Sequence, residues 1–136
     1  MPNPSFSLHD VTDFPLVRFR SEAADPGYGP AWCAEMDALL EGRARFVLIY
    51  PKAERDEAHE DRKARGVWLK QNKDQLVGVC LALIVVEPDP ARRAELEAML
   101  PNLVRAFGTP QVATASTEDA QTLARRLLAE EVLDAR

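Results

Sequence analysis

The sequence predicts an α/β domain, a mixed but mostly parallel sheet with helices packed on it, in the order β-α-β-α-β-α-β-α. Two short, unbroken apolar runs, Phe46 to Tyr50 and Val79 to Val86, suit strands buried on both faces rather than strands with one wet face. Between and around them lie stretches whose apolar residues recur at helical spacing. Glycine and proline stand at most of the junctions. Strand and helix alternating with short links imply parallel pairing with helical crossovers.

The first dozen residues carry two prolines and little pattern, so 1–12 reads as a loosely held arm of a single domain spanning 1–136. Phe14 to Arg20 reads as the first strand, with Pro15 marking an edge or entry position. Asp25-Pro26-Gly27-Tyr28-Gly29-Pro30 is a turn cluster. After it, Trp32, Met36, Leu39 and Leu40 share one helical face, and Gly42 is placed to cap the end.

Phe46 to Tyr50 ends at Pro51 and gives way to a charged stretch reaching Leu76. Its composition favours helix, with Glu60–Lys63 and Asp61–Arg65 at pairing distance and sparse apolar anchors at Ala64, Val67, Trp68, Leu69 and Leu76. Gly78 is placed to close that helix. Val79 to Val86 is the strongest strand signal and is assigned to the sheet centre.

Asp89-Pro90 supplies a helix cap followed by proline in the first turn. Leu96, Met99, Leu100, Leu103, Val104 and Phe107 keep one register through Pro101 until Gly108. Gln111 to Ala115 is a weaker strand. Ser116 or Thr117 then caps a last helix, with Glu118 and Asp119 in its first turn and Ala120, Leu123, Ala124, Leu127 and Leu128 on one face.

Composition narrows the functions. At 46% hydrophobic and 29% charged, the 136-residue chain has the balance of a folded domain rather than a disordered one. A net charge of −5 argues against nucleic acid as the partner, since phosphate neutralisation needs a dense basic face. No apolar run is long enough to span a bilayer as a helix, and the N-terminus lacks a secretory pattern, so no membrane insertion and a cytoplasmic location are expected. Cys33 and Cys80 sit in apolar surroundings and read as buried free thiols.

The strand at Phe46–Tyr50, the polar stretch leading to Trp68-Leu69-Lys70, the strand Cys80–Val86, the short strand before Ser116 and the final helix from Glu118-Asp119-Ala120 form an order that resembles the STAS domain. The likeness is to its SpoIIAA-like branch, which includes small stand-alone proteins also described as SEC14-like. The resemblance covers roughly Phe14 to Leu128 and implies a mixed sheet with helices to one side. It further implies a role in protein–protein regulation or ligand sensing rather than catalysis. The family's phosphorylatable hydroxyl follows the strand matched to Phe46–Tyr50, and here no serine or threonine occurs from Glu22 to Gly108. The phospho-switch does not carry over, and Thr114, Ser116 and Thr117 read as strand and cap residues.

Other chemistries find little support. Gly27-Tyr28-Gly29 lacks the third glycine of a dinucleotide loop and any Gly-Lys-Ser/Thr. Neither cysteine has a neighbouring base, and His9 and His59 show no metal-ligand spacing. Around His59, the acids Glu54, Asp56, Glu57, Glu60 and Asp61 read as a solvated helix face. No catalytic residue, cofactor or metal is assigned.

Tyr50, Lys52, Arg55, His59, Arg62, Arg65, Trp68 and Lys70 remain as a candidate interaction or ligand surface following a strand end. Two readings follow. The first is a non-enzymatic regulatory or scaffold module acting on a protein partner or as a homodimer. The second is a protein binding a small or apolar ligand, or an accessory enzyme, with a pocket lined by Trp68 and the helix around Leu96–Phe107.

Overall fold

The structure, a computed structural model, describes residues 6–51 and 58–134, with side chains described as far as 130. Five strands form one sheet in the order β1-β2-β3-β4-β5: His9–Asp10, Leu16–Phe19, Phe46–Tyr50, Cys80–Val86 and Gln111–Thr114. β1 pairs antiparallel to β2, and every other neighbouring pair is parallel. The helices are α1 (Gly29–Glu41), α2 (His59–Gln71), α3 (Lys73–Val79), α4 (Pro90–Phe107) and α5 (Thr117–Asp134). The predicted α/β class is therefore the observed one.

Each crossover from β2 to β5 advances one strand in the same direction. With the usual right-handed connection this places α1 to α4 on one face. That face buries Val17, Phe19, Phe46, Leu48 and Leu83 against Trp32, Met36, Leu39, Trp68, Leu69 and Leu76. The opposite face buries Val47, Ile49, Ala82, Ile84 and Val86 under Ala120 and Ala124 of α5. The implied one-sided packing is thus corrected: α5 lies across the face that α1 to α4 leave bare, its small residues Ala120 and Ala124 letting it approach the sheet closely. β3 lies at the sheet centre and β4 beside it.

The arm expected over 1–12 is also corrected where it is described. Leu8 and His9 are buried, and His9 and Asp10 pair with Phe19 and Arg18. The single helix expected up to Leu76 is two, broken at Asn72, whose backbone leaves the helical region while its side-chain amide donates to the Trp68 carbonyl at 3.0 Å. Such local side-chain bonding competes with helix continuation.

The capping signals at Asp89 and Ser116 hold, whereas Gly78, expected to close a helix, lies inside α3, which runs on to Val79. The Asp89 carboxylate accepts the Arg92 amide at 2.8 Å, and the Ser116 hydroxyl accepts the Asp119 amide at 3.0 Å. α4 runs unbroken through Pro101 and ends at Gly108, whose φ of 83° and 2.7 Å approach of a notional Cβ to Val77 Cγ2 leave room for glycine alone.

Candidate functional site

α2 and α4 cover the same face of the sheet, yet they do not close over it. Between them lies a cavity of about 650 Å3, within the size range of small-molecule sites. Its floor is Phe19, Tyr50, Leu83 and Val85 from three successive strands. α2 contributes Arg62, Arg65 and Leu69 to one wall, and α4 contributes Arg92, Leu96, Leu103 and Phe107 to the other.

The strands run in parallel, so Phe19, Tyr50 and Val86 mark one end of the cavity, and the Leu83–Gln111 level marks the other. Both covering helices start at the first end. The charged residues Arg62, Arg65, Glu87 and Arg92 therefore gather near the C-terminal edge of the sheet, and Leu69, Leu103 and Phe107 lie deeper. The strand order never reverses, so no crevice forms at a topological switch point. The opening arises instead because α4 packs beside β5 and stands off from β3 and β4.

That stand-off is visible in α4 itself. An 18-residue helix normally derives its stability from a buried stripe, but α4 has no buried residue. Leu96, Leu103 and Phe107, one face of the helix, are only half-buried and look into the cavity.

Of the surface proposed from sequence, Tyr50, Arg62 and Arg65 converge on the cavity. Trp68 does not, and its assignment to the pocket is corrected. It is 5% exposed, stacks edge-on to Trp32 with centroids 5.4 Å apart, and donates its Nε1 hydrogen to Asp37 Oδ1 at 2.8 Å, tying α2 to α1. Its apolar ring is therefore a core element. His59 and Lys70 are exposed on α2 and do not line the cavity. Lys52 and Arg55, with the acids Glu54, Asp56 and Glu57, lie outside the described residues.

Arg65 has a defined seat, its guanidinium 5.8 Å from the centre of the Trp32 ring, a favourable cation–π placement. Asp61 is not part of a solvated face. It is 2% exposed and accepts the amides of Gly27 at 2.9 Å and Gly29 at 2.8 Å. A Cβ at Gly29 would lie 3.0 Å from Ala64 Cβ, so the glycine allows α1 to start directly against α2. The glycine-loop amides that a phosphate would need are thus held by a carboxylate of the chain itself.

A second polar cluster escaped the sequence reading. Glu35, buried in α1, accepts the amides of Ser7, Leu8 and His9 and the Nδ1 hydrogen of His9, the last at 2.9 Å. Burial pushes the Glu35 carboxyl up, but the bonds from His9, Ser7 and Leu8 outweigh it and hold the group below its ordinary range. For His9, burial dominates and lowers its pKa, with Glu35 pulling the other way. The cluster fastens β1 to α1. The signal for it was an acid inside the Trp32–Met36–Leu39 stripe.

The thiols offer no nucleophile. Burial pushes Cys80 up to about 12, and burial together with Asp37 raises the half-buried Cys33. Among the described residues no group of three metal-binding side chains comes together, and no helix is long and apolar enough to cross a membrane. No family model, curated protein or solved structure matches the chain.

Proposed function

We propose that this protein binds a small, largely apolar molecule in the cavity between α2 and α4. The observation that carries the reading is α4: a long helix with no buried residue, whose Leu96 and Leu103 line open space while Phe107 reaches the core at its far end. Empty apolar volume forfeits dispersion contacts and transfer free energy, so an apolar molecule seated there would supply the packing that α4 lacks. Ligand sensing is also among the roles implied by the STAS-like order of elements, and that kinship is a proposal of the same standing.

The test is a thermal-shift and native mass spectrometry screen of apolar small molecules against the intact chain and against Leu103→Trp, whose indole narrows the cavity at the middle of the α4 stripe. The expected result is a ligand that raises Tm of the intact chain by more than it raises that of the narrowed variant. A ligand set that moves neither protein, or moves both equally, contradicts the reading.

The regulatory-module reading, with a protein partner or a homodimer, draws on the exposed outer face of α2 carrying His59 and Lys70. Capture of a partner that survives Leu103→Trp but is lost on Lys70→Glu would favour it; capture indifferent to Lys70→Glu would dismiss it.

A further inference from the structure

We infer that the molecule taken up is an anionic amphiphile, in its simplest form a long-chain carboxylate, with its anion at Arg62 and Arg92 and its chain along Leu96, Leu103 and Phe107. This rests on the ligand-binding reading above and specifies the chemistry of the ligand.

Among the described residues, the charged lining lies at one end of the cavity, and the far end holds the neutral Gln111. Arg62 and Arg65 enter from the first turns of α2, and Arg92 enters from the first turn of α4 on the opposite wall. From Arg92 to Phe107 the lining stripe extends along about 22 Å of helix, at ~1.5 Å per residue. Every residue of that stripe after Arg92 is apolar, and it faces Leu69 and Leu83. An elongated apolar body therefore has a place only if its polar head stays at the strand ends.

Charge decides the sign of that head. Among the described lining residues, three arginines share the charged end with two acids, Asp61 and Glu87. The Asp61 oxygens accept the Gly27 and Gly29 amides, and Glu87 Oε2 accepts the Asp89 amide at 3.1 Å. Both acids thus serve the backbone of neighbouring turns. Guanidinium groups offer several planar donors that match a carboxylate, and among the described lining residues the arginines outnumber the acids. A cationic head would meet the opposite arrangement.

The experiment measures binding of laurate and of dodecanol, which share a chain length and differ in the head, by titration calorimetry below their aggregation concentrations. The proteins are the intact chain, Arg62→Gln/Arg92→Gln, and Leu103→Trp. Because Arg62 and Arg92 are exposed, their replacement leaves the core intact. The expected result is laurate binding tighter than dodecanol by about 10- to 100-fold, the range of charge-assisted hydrogen bonds. The double arginine variant should lose that preference while still binding dodecanol, and Leu103→Trp, which narrows the apolar part of the cavity, should bind both probes more weakly. Equal affinity for the two probes, or laurate affinity unchanged in the arginine variant, overturns the anionic assignment and leaves the cavity reading standing. Failure of both probes to bind, or undiminished binding to Leu103→Trp, overturns the cavity reading with it.

Discussion

Asp61 and Gly29 are joined by a hydrogen bond of 2.8 Å, from the Gly29 amide to Oδ1, with the second carboxylate oxygen on the Gly27 amide. The pair seats the start of α1 on α2 and so fixes the wall from which Arg62 and Arg65 reach the cavity. Asp61→Ala strands two amides and is expected to destabilise the fold by about 2–4 kcal/mol. Asp61→Asn, with one acceptor oxygen, should lose less. Urea unfolding checks both, through a lower midpoint at unchanged slope.

Gly29→Ala tests the same contact from the other side. Its Cβ would meet Ala64 Cβ at 3.0 Å, Asp61 Oδ1 at 3.1 Å and Asp61 Cα at 3.3 Å. Overpacking of this kind destabilises by about 1–3 kcal/mol. Gly66→Ala, where nothing lies within 4 Å of the added carbon, should instead be neutral or slightly stabilising, as alanine is the better helix former.

The His9–Glu35 cluster predicts acid lability. In the folded chain His9 titrates below its ordinary value of 6.5, so on acidification the unfolded chain takes up its proton first. Stability is therefore full above pH 6.5 and declines as pH falls below it. Glu35, also held below its ordinary 4.5, contributes stability that is present above that value and lost as pH falls through the folded one. Unfolding free energy should stay level between pH 7.5 and 6.5 and fall from there towards pH 4. His9→Asn, which keeps a donor for Glu35, should flatten the upper part of that decline.

Trp68 separates structure from binding. Trp68→Phe removes the 2.8 Å bond to the exposed Asp37 and should reduce stability by about 1 kcal/mol, whereas Trp68→Ala opens the core and should remove about 3–5 kcal/mol. Because the ring does not line the cavity, ligand affinity of the phenylalanine variant should match that of the intact chain in calorimetry. A large loss of affinity would return Trp68 to the site.

Much of the architecture was legible because it follows from local rules. The unbroken apolar runs gave β3 and β4, and Asp89-Pro90 and Ser116 gave helix starts that the observed caps match. What the sequence did not disclose depends on tertiary contact. Asp61 read as part of a solvated face and Glu35 drew no reading, yet each stands in register with an apolar stripe, Glu35 with Trp32, Met36 and Leu39, Asp61 with Ala64, Trp68 and Leu69. An acid inside such a stripe is the readable sign of a buried anchor for backbone amides. The cavity itself left only a faint trace. The periodicity of Leu96, Leu103 and Phe107 indicates that a face is apolar and says nothing about how closely it meets the sheet.

The most direct test of the central claim is methyl NMR of the intact chain during laurate titration. The account predicts saturable shifts confined to the methyls of Leu69, Leu83, Val85, Leu96 and Leu103, with Leu123, Leu127 and Leu128 of α5 on the opposite face unmoved. Shifts centred on the α5 leucines, or a cavity set that stays still at saturating ligand, would contradict it.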